Sequence, residues 1–268
     1  MNLIKNYITN NRCYTGPTKI QVKKLVLHSL GVSQPNAQVL IDRWNNQEAG
    51  VSIHAFIEDD RVIQTLPWDY KAWHVGAGKN GSYNTCSIGV EICEPAGHKY
   101  NGGTMVGYDV AKNAAYFNKV YQNAVELFAM LCQEFKLDPQ KDILCHSEVY
   151  KIGYGTNHSD VMQWFPKHGK SMDTFRNDVT IRLSYVPGKN ITPVSNNDDI
   201  NWAKKKLNGL LPVIPGITPL QLNGIYDPEL RIAVLTYWHK LGWGKSLKDD
   251  GTIIGKATRE AMAVGKIK

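Results

Sequence analysis

The chain has 268 residues, 43% of them hydrophobic, which is enough to bury one sizeable core and a smaller second one. No apolar run is long enough to span a bilayer, which excludes stable membrane insertion by a helix. A net charge of +7 and a pI near 9.0 suit polyanionic partners, whether nucleic acid, an anionic membrane surface or the anionic polymers of a cell wall. The five cysteines (Cys13, Cys86, Cys93, Cys132, Cys145) show no metal-ligand spacing, and their odd number argues against a disulfide framework. They read as reduced core thiols.

Residues 1 to 22 read as an extended or irregular lead-in with a turn at Gly16-Pro17. Their Asn and Lys residues interrupt any apolar core of a signal peptide, so the chain is expected to be made in a cytoplasm without one. Lys24-Leu25-Val26-Leu27 reads as a strand ending in His28. Asn36 to Asn46 has helical spacing, with Ala37, Leu40, Ile41 and Trp44 on one face. Gly50 to Ile57 alternates as a strand carrying His54; Asp59-Asp60 makes a turn, and Arg61 to Leu66 is its hairpin partner. Tyr70 to Gly78 is loop-like and sets Trp73 beside His74. Ser87 to Ile92 is a strand with Glu91 set into it, and a long amphipathic helix runs from about Asn113 to Phe135 until Asp138-Pro139 breaks it. Ile143-Leu144-Cys145 reads as a buried strand ending at His146, followed by a Gly- and Tyr-rich loop, His158-Ser159-Asp160, and the apolar run Val161 to Phe165.

This order predicts an α/β fold over residues 1–184, a mixed sheet flanked by helices. Residues 185–199, rich in Pro, Asn, Gly and Ser, read as a flexible linker. Residues 200–268 read as a three-helix binding unit: Ile200 to Leu211, Pro228 to Leu241 and Ala257 to Val264, separated by turns at Asn223–Pro228 and Asp250–Gly255.

Three side chains near the end of the first region, His146, His158 and Asp160, are metal-competent, and the loop between them is long enough to fold two of them onto one centre. His28, at the end of another apolar strand, supplies the missing ligand. Two histidines and a carboxylate make a plausible open zinc site, since zinc takes three protein ligands and keeps one position for water. Neither HExxH nor CxxC is present. Glu91 is costly to bury unpaired, so it either leaves the sheet or faces a cation, and burial would raise its pKa into the range of a general base. His54, His98, His168 and His239 read as structural. Cys145 alternates away from His146 into the core, which argues against a Cys-His nucleophile.

The ordered series LVLHS, VSIHAFI, AWHVGAG, CSIGVEICE, CHSEVY and HSDVMQWF, from Leu25 to Phe165, resembles the type-2 N-acetylmuramoyl-L-alanine amidases. That family includes phage endolysins, bacterial autolysins and peptidoglycan-recognition proteins. The chain looks most like an endolysin of a phage infecting a Gram-positive, clostridial-type host, made in the host cytoplasm and acting on the wall after release. The resemblance implies peptidoglycan as substrate and zinc held by His28, His146 and Asp160. It also implies Glu91 as catalytic carboxylate, His158 where relatives carry an oxyanion-stabilising Lys, and Trp73 and His74 on the substrate cleft. Two positions depart from the family: Ile53 stands where some members carry a catalytic Tyr, and Val161-Met162 replaces the Pro-Gly after the third ligand. Residues 200–268 resemble the three-helix peptidoglycan-binding domain, whose D-G-x-x-G-x-x-T turn is matched by Asp250, Gly251, Gly255 and Thr258. The alternative is a recognition protein that binds peptidoglycan without cutting it; such relatives have usually lost a zinc ligand, whereas all three candidates stand here. A nucleic-acid binder is suggested by charge alone, with no basic-aromatic module behind it.

Overall fold

A computed structural model describes residues 1–210, 219–243 and 250–267, in two units, Met1–Ser184 and Tyr185–Lys268. The first begins with β1 (Leu3–Lys5), α1 (Arg12–Thr15), β2 (Lys24–Ser29), α2 (Gln38–Trp44), β3 (Ala55–Ile57), β4 (Val62–Gln64) and β5 (Ser87–Ile92). It continues with β6 (Lys99–Asn101), β7 (Thr104–Val106), α3 (Val110–Phe135), α4 (Pro139–Asp142), β8 (Ile143–Cys145), α5 (His146–Lys151) and α6 (Met172–Ser184). Six strands form one sheet in the order β1-β4-β3-β5-β2-β8, mixed because β3 and β4 are antiparallel while the other neighbours are parallel. The expected α/β architecture is therefore the observed one.

Side chains of a strand alternate between faces, and the sheet uses this to separate core from site. Leu25, Leu27, Ile88, Val90, Ile92 and Cys145 pack on Phe117, Leu127 and Phe128 of α3 and Phe175 and Val179 of α6. Each such side chain contributes about 1.5–3 kcal/mol when fully buried. The opposite face is split between an apolar cluster around Phe56, Ile63, Ile41 and Ile53 and a smaller one of Val26, Val75 and Val149. The same face carries His28 and Glu91, register partners on β2 and β5. On the other side of β2, Leu27 pairs with Cys145 at the end of β8, so His146 follows at the level of His28. Glu91 and His28, next to last in β5 and β2, and His146, just after β8, thus stand side by side at the carboxyl edge of three parallel strands, where open α/β sheets place their ligands.

Several elements differ from the sequence reading. The lead-in contains β1, a short edge strand parallel to β4, and α1, capped by the Asn11 side chain on the Cys13 N–H. Three apolar-polar positions are too few to give a period. Only Ala55–Ile57 of the expected strand 50–57 joins the ladder, because the Ser52 N–H goes to the Trp73 carbonyl and the Val51 carbonyl accepts from Asn11. The β6–β7 hairpin and α6 had no clear signal; α6 buries only Met172, Phe175 and Val179. The segment after Cys145 opens as helix α5 before it loops, since the Glu148 carboxylate accepts the Cys145 N–H at 3.0 Å.

The second unit holds α7 (Asn197–Asn208), α8 (Pro228–Lys240) and α9 (Lys256–Ala263) around Ile200, Trp202, Leu207, Leu230, Val234, Tyr237, Ile254 and Met262. Leu211, the expected end of the first helix, lies outside the described residues. Lys204 is fully buried and donates to Asn223 Oδ1 at 2.8 Å and to Asp227. Gly251 sits at φ 77°, and a Cβ there would meet the Arg231 carbonyl at 2.9 Å, while Thr258 Oγ1 accepts from the Trp238 indole at 2.8 Å. The turn motif thus has a structural use of its own. Among the described residues no helix is long and apolar enough to cross a membrane.

Residues 185–199, expected as a linker, are instead packed into this second unit. Ile191 is fully buried and bridges Ile254, the Tyr185 carbonyl accepts from the Trp202 indole at 2.8 Å, and the Pro187 carbonyl accepts from Arg259. A lone Ile among polar residues carries no periodicity, which is why composition misreads the segment. In a fragment of residues 185–268, Ile191→Ala is expected to cost about 2–5 kcal/mol of stability in denaturant titration, as for other buried large-to-small changes. An unchanged midpoint would restore the flexible-linker reading.

Candidate active site

Three donor atoms converge at the carboxyl edge of the sheet. His28 Nδ1 lies 3.0 Å from Asp160 Oδ2 and 3.2 Å from His146 Nδ1, and His146 Nδ1 lies 3.6 Å from Asp160 Oδ2. All three residues are buried, and their ligand atoms fall within 4.8 Å of one another. Ligand atoms about 2.0–2.1 Å from a tetrahedral zinc are separated by roughly 3.3 Å, so the triangle already has the size of one face of such a site. The donor set, two imidazole nitrogens and a carboxylate oxygen, is also the one zinc accepts.

The hydrogen bonds behind the triangle decide which ring nitrogens are free. The Tyr83 carbonyl can only accept, so Ser87 donates its hydroxyl proton to it at 2.6 Å. The Ser87 oxygen then accepts from His74 Nε2 at 3.2 Å, leaving His74 Nδ1 as acceptor for His28 Nε2 at 3.0 Å. Burial, and then the neighbouring imidazoles of His28, His54 and His146, push the pKa of His74 far down, consistent with a neutral ring. His28 thereby turns an unprotonated Nδ1 toward Asp160 and His146. Thr156 donates its hydroxyl proton to the Val75 carbonyl at 3.2 Å and so accepts from His146 Nε2 at 3.4 Å. Burial first, then His28, lower the pKa of His146 to about 3, so it too is neutral and ligand-competent. Asp160 turns Oδ2 toward the Nδ1 atoms of His28 and His146, at 3.0 and 3.6 Å. A converging carboxylate and two imidazole lone pairs call for a cation between them.

Glu91 stands next to His28 in the register, half-buried, with Oε2 shielded from solvent and without any hydrogen-bond partner. Burial, and behind it the carboxylates of Asp160 and Glu94, raise its pKa well above the ordinary value. His158 stacks on His146 with centroids 4.4 Å apart and its Nδ1 is 3.6 Å from Asp160 Oδ1; its side chain is 58% exposed. It borders a pocket of about 450 Å³ that is also lined by Asp160, Ser29, Gly31, Tyr100 and Gln163. Neither Trp73 nor His74 lines that pocket. His74 lies behind His28, and Trp73 packs against the Phe56 cluster.

The remaining candidates have other occupations. His54 accepts from the Gly89 N–H at 3.0 Å and donates to the Tyr70 carbonyl at 2.7 Å, so both nitrogens are used. Burial lowers its pKa to about 4. His98 pairs with buried Glu94, and His168 bonds the Tyr108 hydroxyl and stacks on Phe117. Ile53 is buried among apolar side chains and Cys145 lies in the core, its thiol pushed up to about 12 by burial. Sequence reasoning missed Ser87, Thr156 and the bidentate Arg176–Glu148 pair, at 3.0 and 2.8 Å, that holds the turn bearing His146. One signal was present: Gly89 interrupts an apolar strand, and a Cβ there would lie 2.5 Å from the His74 ring.

Replacing His28, His146 or Asp160 with Ala is expected to abolish tightly bound zinc, read by elemental analysis after dialysis, whereas His158→Ala should keep it. Loss with His158→Ala and retention with Asp160→Ala would exchange their roles. His74→Ala should weaken zinc about 10–100-fold in a chelator competition, the usual effect of removing a supporting partner.

Comparison with known proteins gives the family of the chain. The Amidase_2 family, described as N-acetylmuramoyl-L-alanine amidase, matches residues 18–163. The N-acetylmuramoyl-L-alanine amidase CwlA of a Bacillus species is 36% identical over 103 residues, covering 38% of this chain and 35% of its own length. The N-acetylmuramoyl-L-alanine amidase BlyA of Bacillus subtilis strain 168 is 26% identical over 207 residues, 71% of this chain and 49% of its own. The chain thus spans less than half the length of either relative. The crystal structure of the Staphylococcus aureus hydrolase AmiA shares the fold, with a TM-score of 0.52 at 22% identity over 68% of this chain and 83% of AmiA. Because the family match takes in more than half of the chain and every residue of the converging cluster, the protein belongs to the N-acetylmuramoyl-L-alanine amidase family.

Proposed function

We propose that the protein is a zinc-dependent endolysin that cleaves the amide between the lactyl group of N-acetylmuramic acid and the L-alanine of the stem peptide, opening the wall of a bacterial host. The observation that carries this reading is the unpartnered, buried Glu91 Oε2 beside the donor triangle. A carboxylate is costly to leave so, and its placement is that of a base awaiting a proton. His28 Nδ1, His146 Nδ1 and Asp160 would hold the metal. Zinc, when bound, supplies Lewis acidity that polarises a carbonyl and brings the pKa of water to roughly 7.

Glu91 Oε2 takes a proton from the attacking water and returns it to the departing alanine nitrogen as the C–N bond breaks, so the water oxygen ends on the lactyl carboxylate. A carboxyl with a raised pKa suits both halves of that transfer. His158, stacked on His146 and open to the pocket, directs an N–H to the scissile oxygen as negative charge develops there. Removing such a donor costs about a hundredfold to a thousandfold in rate. A binding-only role is not favoured, since the three metal donors and the carboxylate are all in place. The second unit would tether the enzyme to the wall, raising local concentration without entering the chemistry.

Glu91→Gln keeps shape and removes the base. It should bind zinc normally and lose about two to four orders of magnitude in turnover on a soluble muramoyl-peptide, with product amines counted by mass spectrometry. Near-native turnover would assign the proton transfers elsewhere. A fragment of residues 1–184 should cut soluble muramoyl-peptides as the full chain does, and intact walls more slowly, by up to about a hundredfold. Running the wall assay at low and high salt separates charge adhesion, which salt screens, from a specific pocket contact. Loss of activity on the soluble substrate would place the second unit within the catalytic machinery.

A further inference from the structure

Gln163 lies three residues beyond Asp160 and lines the same pocket, together with Ser29, Gly31 and Tyr100. Behind that wall Glu94 is fully buried, and its carboxylate collects donors: the Gly31 N–H at 3.0 Å, the Tyr100 hydroxyl at 2.9 and 3.1 Å, and His98 Nε2 at 2.9 Å. A hydroxyl has one proton to give. That of Tyr100 is given to Glu94, so toward Gln163 its oxygen can only accept. The Gln163 amide is therefore fixed in orientation: Nε2 donates to Ser29 Oγ at 2.8 Å and to Tyr100 at 3.3 Å. Oε1 is turned away from both, shielded from solvent and without a partner. A buried acceptor left unmade costs about 1–3 kcal/mol, and the residue that carries it lines the same pocket as Asp160.

We infer that Gln163 Oε1 is a substrate-reading acceptor that takes an amide N–H of the muramoyl-peptide, held in place by Ser29 and Tyr100. The inference rests on the proposed cleavage of that substrate. Two amide N–H groups flank the scissile bond: the acetamido N–H of the muramic acid, and the peptide N–H that follows the first alanine. Either is a donor of the required kind. Glu94 does not touch substrate; it sets which way the amide of Gln163 faces.

The test uses the full zinc-loaded chain and three soluble probes: an N-acetylmuramoyl dipeptide, its 2-deoxy analogue lacking the acetamido group, and its analogue N-methylated at the second peptide amide. Binding is read by calorimetry and cleavage separately by product analysis. Gln163→Met fills the same space without an acceptor, and Gln163→Asn, which withdraws the oxygen, serves if the first variant fails to fold. On the parent probe, the variant's Kd and KM should rise roughly tenfold, about one hydrogen bond's worth, with kcat nearly unchanged. On the probe lacking the relevant N–H, wild type and variant should bind alike, and which probe does so names the donor. Equal weakening on all three probes would mean a purely structural role and overturns the inference, as does an unaltered Kd on the parent. Wild-type protein that binds the parent without cutting it would sink the proposed reaction, yet the binding ratios would still decide the role of Gln163.

Discussion

Parallel pairing of β5, β2 and β8 is the constraint on which the site depends. With His28 opposite Glu91 and Leu27 opposite Cys145, a slip of one residue would turn His28 into the core and Leu27 into the polar face. The same slip would pull Leu25, Leu27, Val90 and Cys145 away from α3 and α6. At about 1.5–3 kcal/mol for each large apolar side chain, the core holds the register far more firmly than the site could. The chemistry therefore stands on packing done on the other side of the sheet.

Burial alone does not separate a candidate ligand from a structural histidine here. His28 and His54 are 1% and 0% exposed and sit on neighbouring segments. What differs is the fate of the second nitrogen. Backbone groups of Gly89 and Tyr70 occupy both nitrogens of His54, whereas the chain Tyr83–Ser87–His74 occupies one nitrogen of His28 and leaves the other for the triangle. The same logic runs through Glu94, which commits the Tyr100 hydroxyl proton and so orients Gln163.

The sequence carried the elements whose signal is long or chemically unusual. Ser87–Ile92 was legible to the residue, the long helix nearly so, and a carboxylate within an apolar strand marked Glu91. From residues alone Asp160 and His158 compete for the candidate metal cluster, and the fold buries Asp160 with His28 and His146 while leaving His158 exposed. Trp73 and His74 show the limit of carrying a motif across: the adjacent pair lies by the site, but His74 supports His28 from behind and Trp73 packs in an apolar cluster. What stayed hidden were contacts between distant segments. Arg176 reaching Glu148, and Ile191 reaching Ile254, join residues whose local sequences advertise nothing.

The Arg176–Glu148 pair also bears on where the first unit ends. The family match stops at residue 163, yet Glu148, which caps the turn bearing His146, is gripped by a guanidinium thirteen residues beyond that point. The same helix, α6, covers the core with Phe175 and Val179, and at the other end β1 lies before the match begins. The fold needs more than the matched stretch: outer elements close the sheet edge and hold the turn bearing His146. The smallest piece of this chain able to present its histidines is therefore longer, at both ends, than the stretch by which its kin are recognised.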